Sequence, residues 1–114
     1  MRVAVVSIVC LVGLALAAPA WAQDPNLIEQ GAKLFTDQKC TLCHSVAGKG
    51  NPKGVLDAVG AKLSANEIRE WIVSPKEMTA KTKAERKPPM KAYPNLSKTD
   101  VDALVAYVSS LKKK

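Results

Sequence analysis

The chain is poor in the residues that usually hold a small domain together. Its 114 residues include one phenylalanine, two tyrosines and two tryptophans, with three cysteines and a single histidine. One domain is the most that this length allows, and so few aromatic residues give it a thin core. Small domains of this kind commonly need a cross-link or a bound group for stability. The cysteines are too few for a disulfide framework. A zinc site needs four ligands, and His44 is the one histidine available to provide any of them.

Patterns of β-structure are also missing. No stretch alternates polar and apolar residues as a half-buried strand does, and there are no internal repeats. Apolar residues recur instead at helical spacing, which predicts helices over residues 26–37, 65–74 and 98–111. The second begins with a capping box of Ser64 and Glu67, and the third with one of Ser97 and Asp100. Glycines and a proline punctuate residues 45–62, which predicts a loop. The expected fold class is all-α.

The first 22 residues have the features of a secretory signal peptide. Arg2 provides a positive charge, residues 3–18 carry no charge, and Ala20-Trp21-Ala22 matches an A-x-A cleavage site. The uncharged run is shorter than the about 20 residues of a membrane span. We therefore expect cleavage of residues 1–22, export to the periplasm, one mature domain over residues 23–114, and no stable membrane insertion afterwards. An uncleaved anchor is the alternative.

Cys40-Thr41-Leu42-Cys43-His44 is the C-x-x-C-H attachment motif of c-type haem. Two thiols at this spacing can reach the two vinyl groups on one edge of a haem and form thioethers with them. The next residue then lies beneath the macrocycle, where the imidazole of His44 can bind the iron. A thioredoxin-like C-x-x-C would accompany a βαβ pattern, which this sequence lacks. We predict one haem c per chain, held by Cys40, Cys43 and His44, and its apolar surface would supplement the thin core.

The second axial ligand cannot be a histidine of the same chain, because His44 is the only one. The remaining choices are methionine, lysine, the amino terminus, water or no group. After cleavage two methionines remain, Met78 and Met90. Met90 follows two prolines that stiffen the chain and can hold a sulfur in place. Met78 lies on a predicted helical turn after Trp71 and Ile72, which is typical of a methionine that fills a gap in the core. This context favours Met90.

Taken together, these residues resemble the small single-haem cytochromes c of bacterial periplasms, in which histidine and methionine bind the iron. The resemblance covers nearly all of residues 23–114. It is carried by five segments: Gly31-x-x-x-Phe35, the haem motif, Trp71-Ile72-x-x-Pro75, Pro89-Met90-x-x-Tyr93 and Leu104-Val105-Ala106-Tyr107. It implies that the first and last helices cross, with Gly31 against Tyr107. It also implies that Met90 is the iron ligand and that Trp71 donates to a haem propionate, although core packing would explain this tryptophan as well.

The segment after the haem motif departs from the pattern of that family. The family often has Gly-Pro-x-Leu there, and a backbone carbonyl in it accepts a hydrogen bond from the ligand imidazole. This chain has Gly54-Val55-Leu56, with Pro52 slightly earlier. A carbonyl acceptor needs no particular side chain, so we expect the bond from Pro52, Gly54 or Val55. Such a bond orients the ring and raises its basicity.

The expected function is electron transfer. Histidine–methionine ligation raises the reduction potential of haem iron, and it leaves no position open for oxygen or peroxide. The sequence shows no paired carboxylates beside a base, no phosphate-binding glycine loop and no nucleophile with a histidine to spare. We therefore expect a monomeric carrier of a respiratory chain, and not an enzyme. The alternatives are a haem subunit of a periplasmic dehydrogenase or oxidase complex, and an open-site haem protein that binds gases or turns over peroxide.

The charge balance bears on the partners. The chain has 17 Lys and Arg against 10 Asp and Glu, a formal net charge of +7. The cations that flank the haem motif or the predicted ligand loop are Lys39, Lys49, Lys53, Lys81, Lys83, Arg86, Lys87 and Lys91. Positive charge near the haem would steer transient association with acidic redox proteins, although these side chains would also serve solubility alone. Nucleic acid is a poor partner for an exported chain.

Overall fold

The computed structural model describes residues 24–113, and the predicted signal peptide lies outside this range. The described chain contains five α-helices: α1 (Pro25–Asp37), α2 (Val59–Lys62), α3 (Ala65–Val73), α4 (Pro75–Thr82) and α5 (Lys98–Ser109). It also contains a small antiparallel hairpin, β1 (Ser45–Val46) and β2 (Lys49–Gly50). The all-α class is confirmed. No helix among residues 24–113 is long and apolar enough to cross a membrane.

Helices α3 and α5 begin where the two capping boxes predict. The Ser64 hydroxyl accepts from the backbone N–H of Glu67 at 3.1 Å, and the Glu67 carboxylate accepts from the backbone N–H of Ser64 at 3.0 Å. Ser97 and Asp100 repeat this reciprocal pair at the start of α5. In α1 the carboxylate of Asp24 accepts from Asn26 N–H. Each cap satisfies a backbone N–H that has no partner inside its helix, which is why the helices start there.

The segment predicted as a loop, residues 45–62, has more structure than expected. Ala47 and Gly48 both have positive φ, 51° and 79°, as the two central residues of a tight hairpin turn require. Each strand has two residues, too few for an alternating pattern to register. The short α2 is fastened by a bond from Gly60 N–H to the carbonyl of Leu111, beyond α5. Helix α4, expected as a single turn, covers eight residues.

Helices α1 and α5 cross in close contact, as the resemblance implied. Phe35 and Tyr107 meet edge to face with their ring centroids 5.5 Å apart, a favourable aromatic geometry. Gly31 lies at the crossing, where a Cβ atom would collide with the carbonyl oxygen of Ala103 and lie 2.6 Å from Cβ of Tyr107. The core continues from this crossing into α3; its buried members are Phe35, Ile68, Ile72, Val101, Leu104, Val105 and Val108. The absence of a side chain at Gly31 therefore sets the distance between α1 and α5.

Replacing Gly31 with alanine is expected to destabilise the protein by about 3 kcal/mol, because the added methyl group forces two helix backbones apart. This loss outweighs the about 1 kcal/mol that alanine gains over glycine inside a helix. Urea unfolding followed by helical circular dichroism measures it. The exposed neighbour Gln30 provides the control, since Gln30→Ala should shift the unfolding free energy by no more than about 0.5 kcal/mol. Equal stability of the two variants would contradict the tight crossing.

Candidate haem site

The two thiols and the imidazole of the motif are presented by a tight turn at the end of α1. Lys39 adopts a left-handed conformation, φ 58°, which turns the chain out of α1 into a single 3₁₀ turn at Cys40–Leu42. The backbone N–H groups of Cys43 and His44 both bond the carbonyl of Cys40, at 3.1 and 2.9 Å. This turn folds the five-residue motif on itself, so that both thiols and the imidazole border the same space.

That space is a cavity of about 650 Å³. Every helix contributes to its lining, through Phe35, Val59, Ile72, Thr79 and Val108 among others. All five residues predicted for the site line it as well: Cys40, Cys43, His44, Trp71 and Met90. A mainly apolar cavity with a few convergent polar groups is typical of a cofactor site.

The His44 ring is held by a backbone carbonyl. Its Nδ1 lies 3.2 Å from the carbonyl oxygen of Gly54. Among the three residues considered from the sequence, Gly54 is thus the one that provides the acceptor. Because a carbonyl can only accept, Nδ1 carries the proton in this bond, and the lone pair is left on Nε2.

The surroundings of His44 favour the neutral imidazole. Burial lowers the pKa of His44; the bond to Gly54 opposes this change, and the positive charge of Arg86 adds to it. A neutral imidazole is the form that binds a metal ion. The ring is therefore oriented by Gly54, and burial favours the neutral form that iron ligation requires.

The two methionines have different surroundings. Met90 is half-buried, lines the cavity and packs against the edge of the core. Met78 is 5% exposed within α4, and it is not among the residues that line the cavity. The cavity thus has one thioether and one imidazole in its walls, from Met90 and His44. The ligand role of Met90 stays a prediction, now with a location that suits it.

Comparison with known proteins identifies the family. The model of the cytochrome c family matches residues 28–112. The chain belongs to the cytochrome c family. Cytochrome c oxidase subunit 2 of Alkalihalophilus pseudofirmus is 30% identical over 104 residues, which cover 82% of this chain and 29% of that protein. The cbb3-type cytochrome c oxidase subunit CcoP of Helicobacter pylori is 32% identical over 90 residues, 79% of this chain and 30% of that protein.

The match to these two relatives is limited in extent. The chain spans less than a third of the length of each, so the similarity is that of one domain within a larger subunit. No solved structure matches the chain. Membership of the cytochrome c family implies covalently bound haem c with its iron, and it implies haem-based electron transfer.

The residues of this chain fit that group. The cavity provides two thiols, an imidazole with a free Nε2 and an apolar lining. Among residues 24–113, no group of three or more histidine, cysteine or carboxylate side chains is arranged to hold a metal ion by itself. The donor set therefore suits iron carried by a macrocycle, which brings four nitrogen ligands of its own and needs only axial ligands from the protein.

Two aromatic residues complete the lining of the cavity. Trp71 lies on α3, and Tyr93 lies in the chain that follows Met90. The structure places Trp71 at the cavity, and its role toward a propionate stays a prediction. Tyr93 belongs to the segment Pro89-Met90-x-x-Tyr93 but was not predicted as a site residue. The Tyr93 side chain is hydrogen-bonded to that of Cys40, and burial raises the pKa of both the phenol and the thiol. The spacing of Tyr93, three residues after Met90, is the sequence signal that could have indicated it.

Arg86 is a residue of the site that sequence reasoning missed. It was grouped with the docking cations, yet its guanidinium donates to the carbonyl oxygen of Cys43 inside the haem motif and lines the cavity. Cys43 and Arg86 are far apart in sequence, so no local pattern could have indicated this bond.

Proposed function

We propose that this cytochrome c is an exported single-electron carrier of a respiratory chain, with one haem per chain and with His44 and Met90 as the axial ligands. One observation carries the proposal: a single apolar cavity, built by all five helices, has Cys40, Cys43, His44 and Met90 in its walls. The family supports haem-based electron transfer, and the single C-x-x-C-H motif supports one haem.

Each residue has a distinct task in this proposal. Cys40 and Cys43 form the thioethers, and His44 binds through Nε2 while the carbonyl of Gly54 fixes its ring. Met90 would provide the second ligand, a thioether that would raise the reduction potential and exclude other ligands. When bound, haem supplies one-electron exchange between ferric and ferrous iron.

The decisive experiment is a visible spectrum of the protein matured in a periplasm, oxidised and reduced, with haem and chain quantified separately. We expect one haem per chain, a reduced spectrum of c type and a far-red sulfur–iron band in the oxidised protein. A reduced protein that binds carbon monoxide rapidly would point to an open site. A natively compact but colourless protein would overturn the proposal.

The two relatives favour a second candidate, a haem domain that works as part of a terminal oxidase, since each is named as an oxidase subunit. Cell fractionation separates the candidates. A free carrier is released with the periplasmic contents as a monomer, whereas an oxidase component stays with the membranes and copurifies with oxygen consumption. Recovery of all the protein in that membrane complex would show that it is an oxidase subunit and not a free carrier.

The cations around the cavity support acidic redox partners. Lys39, Arg86 and Lys91 line the cavity itself and are exposed. Raising ionic strength from about 0.01 M to about 0.2 M is expected to slow electron transfer to an acidic partner about ten-fold, because the Debye length falls from about 30 to about 7 Å. Stopped-flow mixing measures the rate.

Matched single-charge variants locate the effect on one face. Lys39→Gln should reduce the low-salt rate, whereas Lys33→Gln should leave it near the parental value, since Lys33 is an exposed residue of α1 that does not line the cavity. Equal rates for both variants, or a rate independent of salt, would show that these lysines do not guide docking.

A further inference from the structure

The segment that carries Met90 has little structure of its own. Residues 83–97 join α4 to α5 and form the longest part of the described chain without helix or strand. At its start Ala84 N–H bonds the carbonyl of Thr79 in α4, whereas near its end Leu96 N–H bonds the carbonyl of Tyr93 inside the segment itself. Met90 lies between these points, where backbone order must come from other contacts.

A hydrogen bond joins the middle of this segment to the haem motif. Among residues 24–113, the bond from Arg86 to the carbonyl oxygen of Cys43 attaches residues 85–92, and a side-chain hydrogen bond between Tyr93 and Cys40 attaches the residue that follows them. The acceptor of the Arg86 bond immediately precedes His44. The segment that holds one predicted ligand is therefore attached directly beside the other.

The shape of the chain at Gly54 makes room for this bond. A Cβ atom on Gly54 would collide with both the carbonyl oxygen of Cys43 and the guanidinium of Arg86. Gly54 is also the residue whose carbonyl holds Nδ1 of His44. The guanidinium thus lies beside Gly54 and donates to the carbonyl of Cys43, so it adjoins both residues whose backbone borders His44.

We propose that Arg86 is a positioning residue that closes the Met90 segment onto the haem motif. This role rests on the proposed ligation by His44 and Met90. It adds the contact that sets how often the Met90 segment separates from the haem motif. A guanidinium bonded to a carbonyl is a charge-assisted contact, stronger than a neutral one. A segment with no second hydrogen bond at its centre opens locally when that contact is removed.

Three variants test this role. Arg86→Gln removes the charge and shortens the donor, Arg86→Lys keeps the charge and can donate a single bond, and Lys87→Gln removes the neighbouring exposed charge without touching Cys43. Arg86 is itself exposed, so its replacement should leave the core intact, which helical circular dichroism checks. Two readouts are measured. The first is hydrogen–deuterium exchange of the Ala84 and Leu96 amides, which donate hydrogen bonds on either side of residues 85–92, and the second is the rate at which carbon monoxide binds to the reduced protein.

We expect Arg86→Gln to speed both exchange and carbon monoxide binding about ten-fold, Arg86→Lys to fall between, and Lys87→Gln to match the parent. Exchange in Arg86→Gln that equals that of Lys87→Gln would overturn the proposal. Failure of the ligation hypothesis has a different signature. The parent would then lack the sulfur–iron band, while faster exchange in Arg86→Gln alone would still establish the attachment of the segment.

Discussion

Replacing Met90 with leucine is expected to abolish the far-red sulfur–iron absorption of the oxidised protein and to lower its reduction potential on the order of 0.2 V. Leucine fills a similar volume, so the cavity wall keeps its packing, but it offers no sulfur to the iron. Axial ligation is the strongest single determinant of haem potential, which spans about 0.8 V across ligand sets. Absorption spectroscopy and potentiometric titration of the same sample give both quantities.

Met78→Leu is the matched control for this experiment. Met78 is 5% exposed inside α4 and is not among the cavity-lining residues. A volume-conserving exchange in a core costs less than about 1.5 kcal/mol, so this variant should fold, keep the band and keep the parental potential. Loss of the band in Met78→Leu, with its retention in Met90→Leu, would show that the ligand had been assigned to the wrong methionine.

The parts of this molecule that could be predicted from sequence are those encoded by neighbouring residues. A capping box needs only Ser64 and Glu67, three positions apart, and both of its bonds form. The haem motif likewise lies within five residues. The position of Gly31 at the helix crossing was predictable in a different way. A glycine inside a helix is destabilising and therefore needs a reason, and the resemblance to a family indicated close packing against Tyr107.

The parts that could not be predicted depend on contacts between distant segments. Gly54 provides the acceptor for His44 because the turn Pro52–Gly54 brings its carbonyl there, and a carbonyl leaves no trace in a side-chain pattern. The α2 helix has four residues, too few for a helical period, and Gly60 bonds a carbonyl beyond α5. Arg86 looked like one more surface cation because its partner is a backbone group of the haem motif.

Two of these nonlocal contacts, those of Gly54 and Arg86, share a location, and this explains why they matter together. Gly54 and Arg86 both adjoin the backbone of Cys43 and His44. The local motif decides which atoms can bind haem, whereas the distant segments decide how the imidazole is oriented and how firmly the methionine segment closes. Mutations at Gly54 should therefore alter ligand geometry without removing any ligand.

Replacing both Cys40 and Cys43 with alanine is expected to leave no haem attached to the denatured chain. Thioethers are the only covalent connection that the motif provides, and they survive denaturation in acid, whereas axial bonds do not. Thr41→Ala, which alters the same turn but keeps both thiols, should retain full covalent colour. Haem staining of a denaturing gel, with total protein stained in parallel, measures the outcome.

The double variant should also lose stability in solution, because haem that is not covalently held dissociates and leaves an apolar cavity of about 650 Å³. Binding of a group to the native state alone stabilises that state by mass action, and a covalent link makes the effect independent of haem concentration. A chain with so thin a core has little else to compensate for the loss of haem. Among the described residues, Val105 is the one large side chain that is fully buried. The double variant should therefore unfold at much lower urea than Thr41→Ala. Covalent colour in the double variant would contradict the thioethers, and unchanged stability would contradict the structural role of the haem.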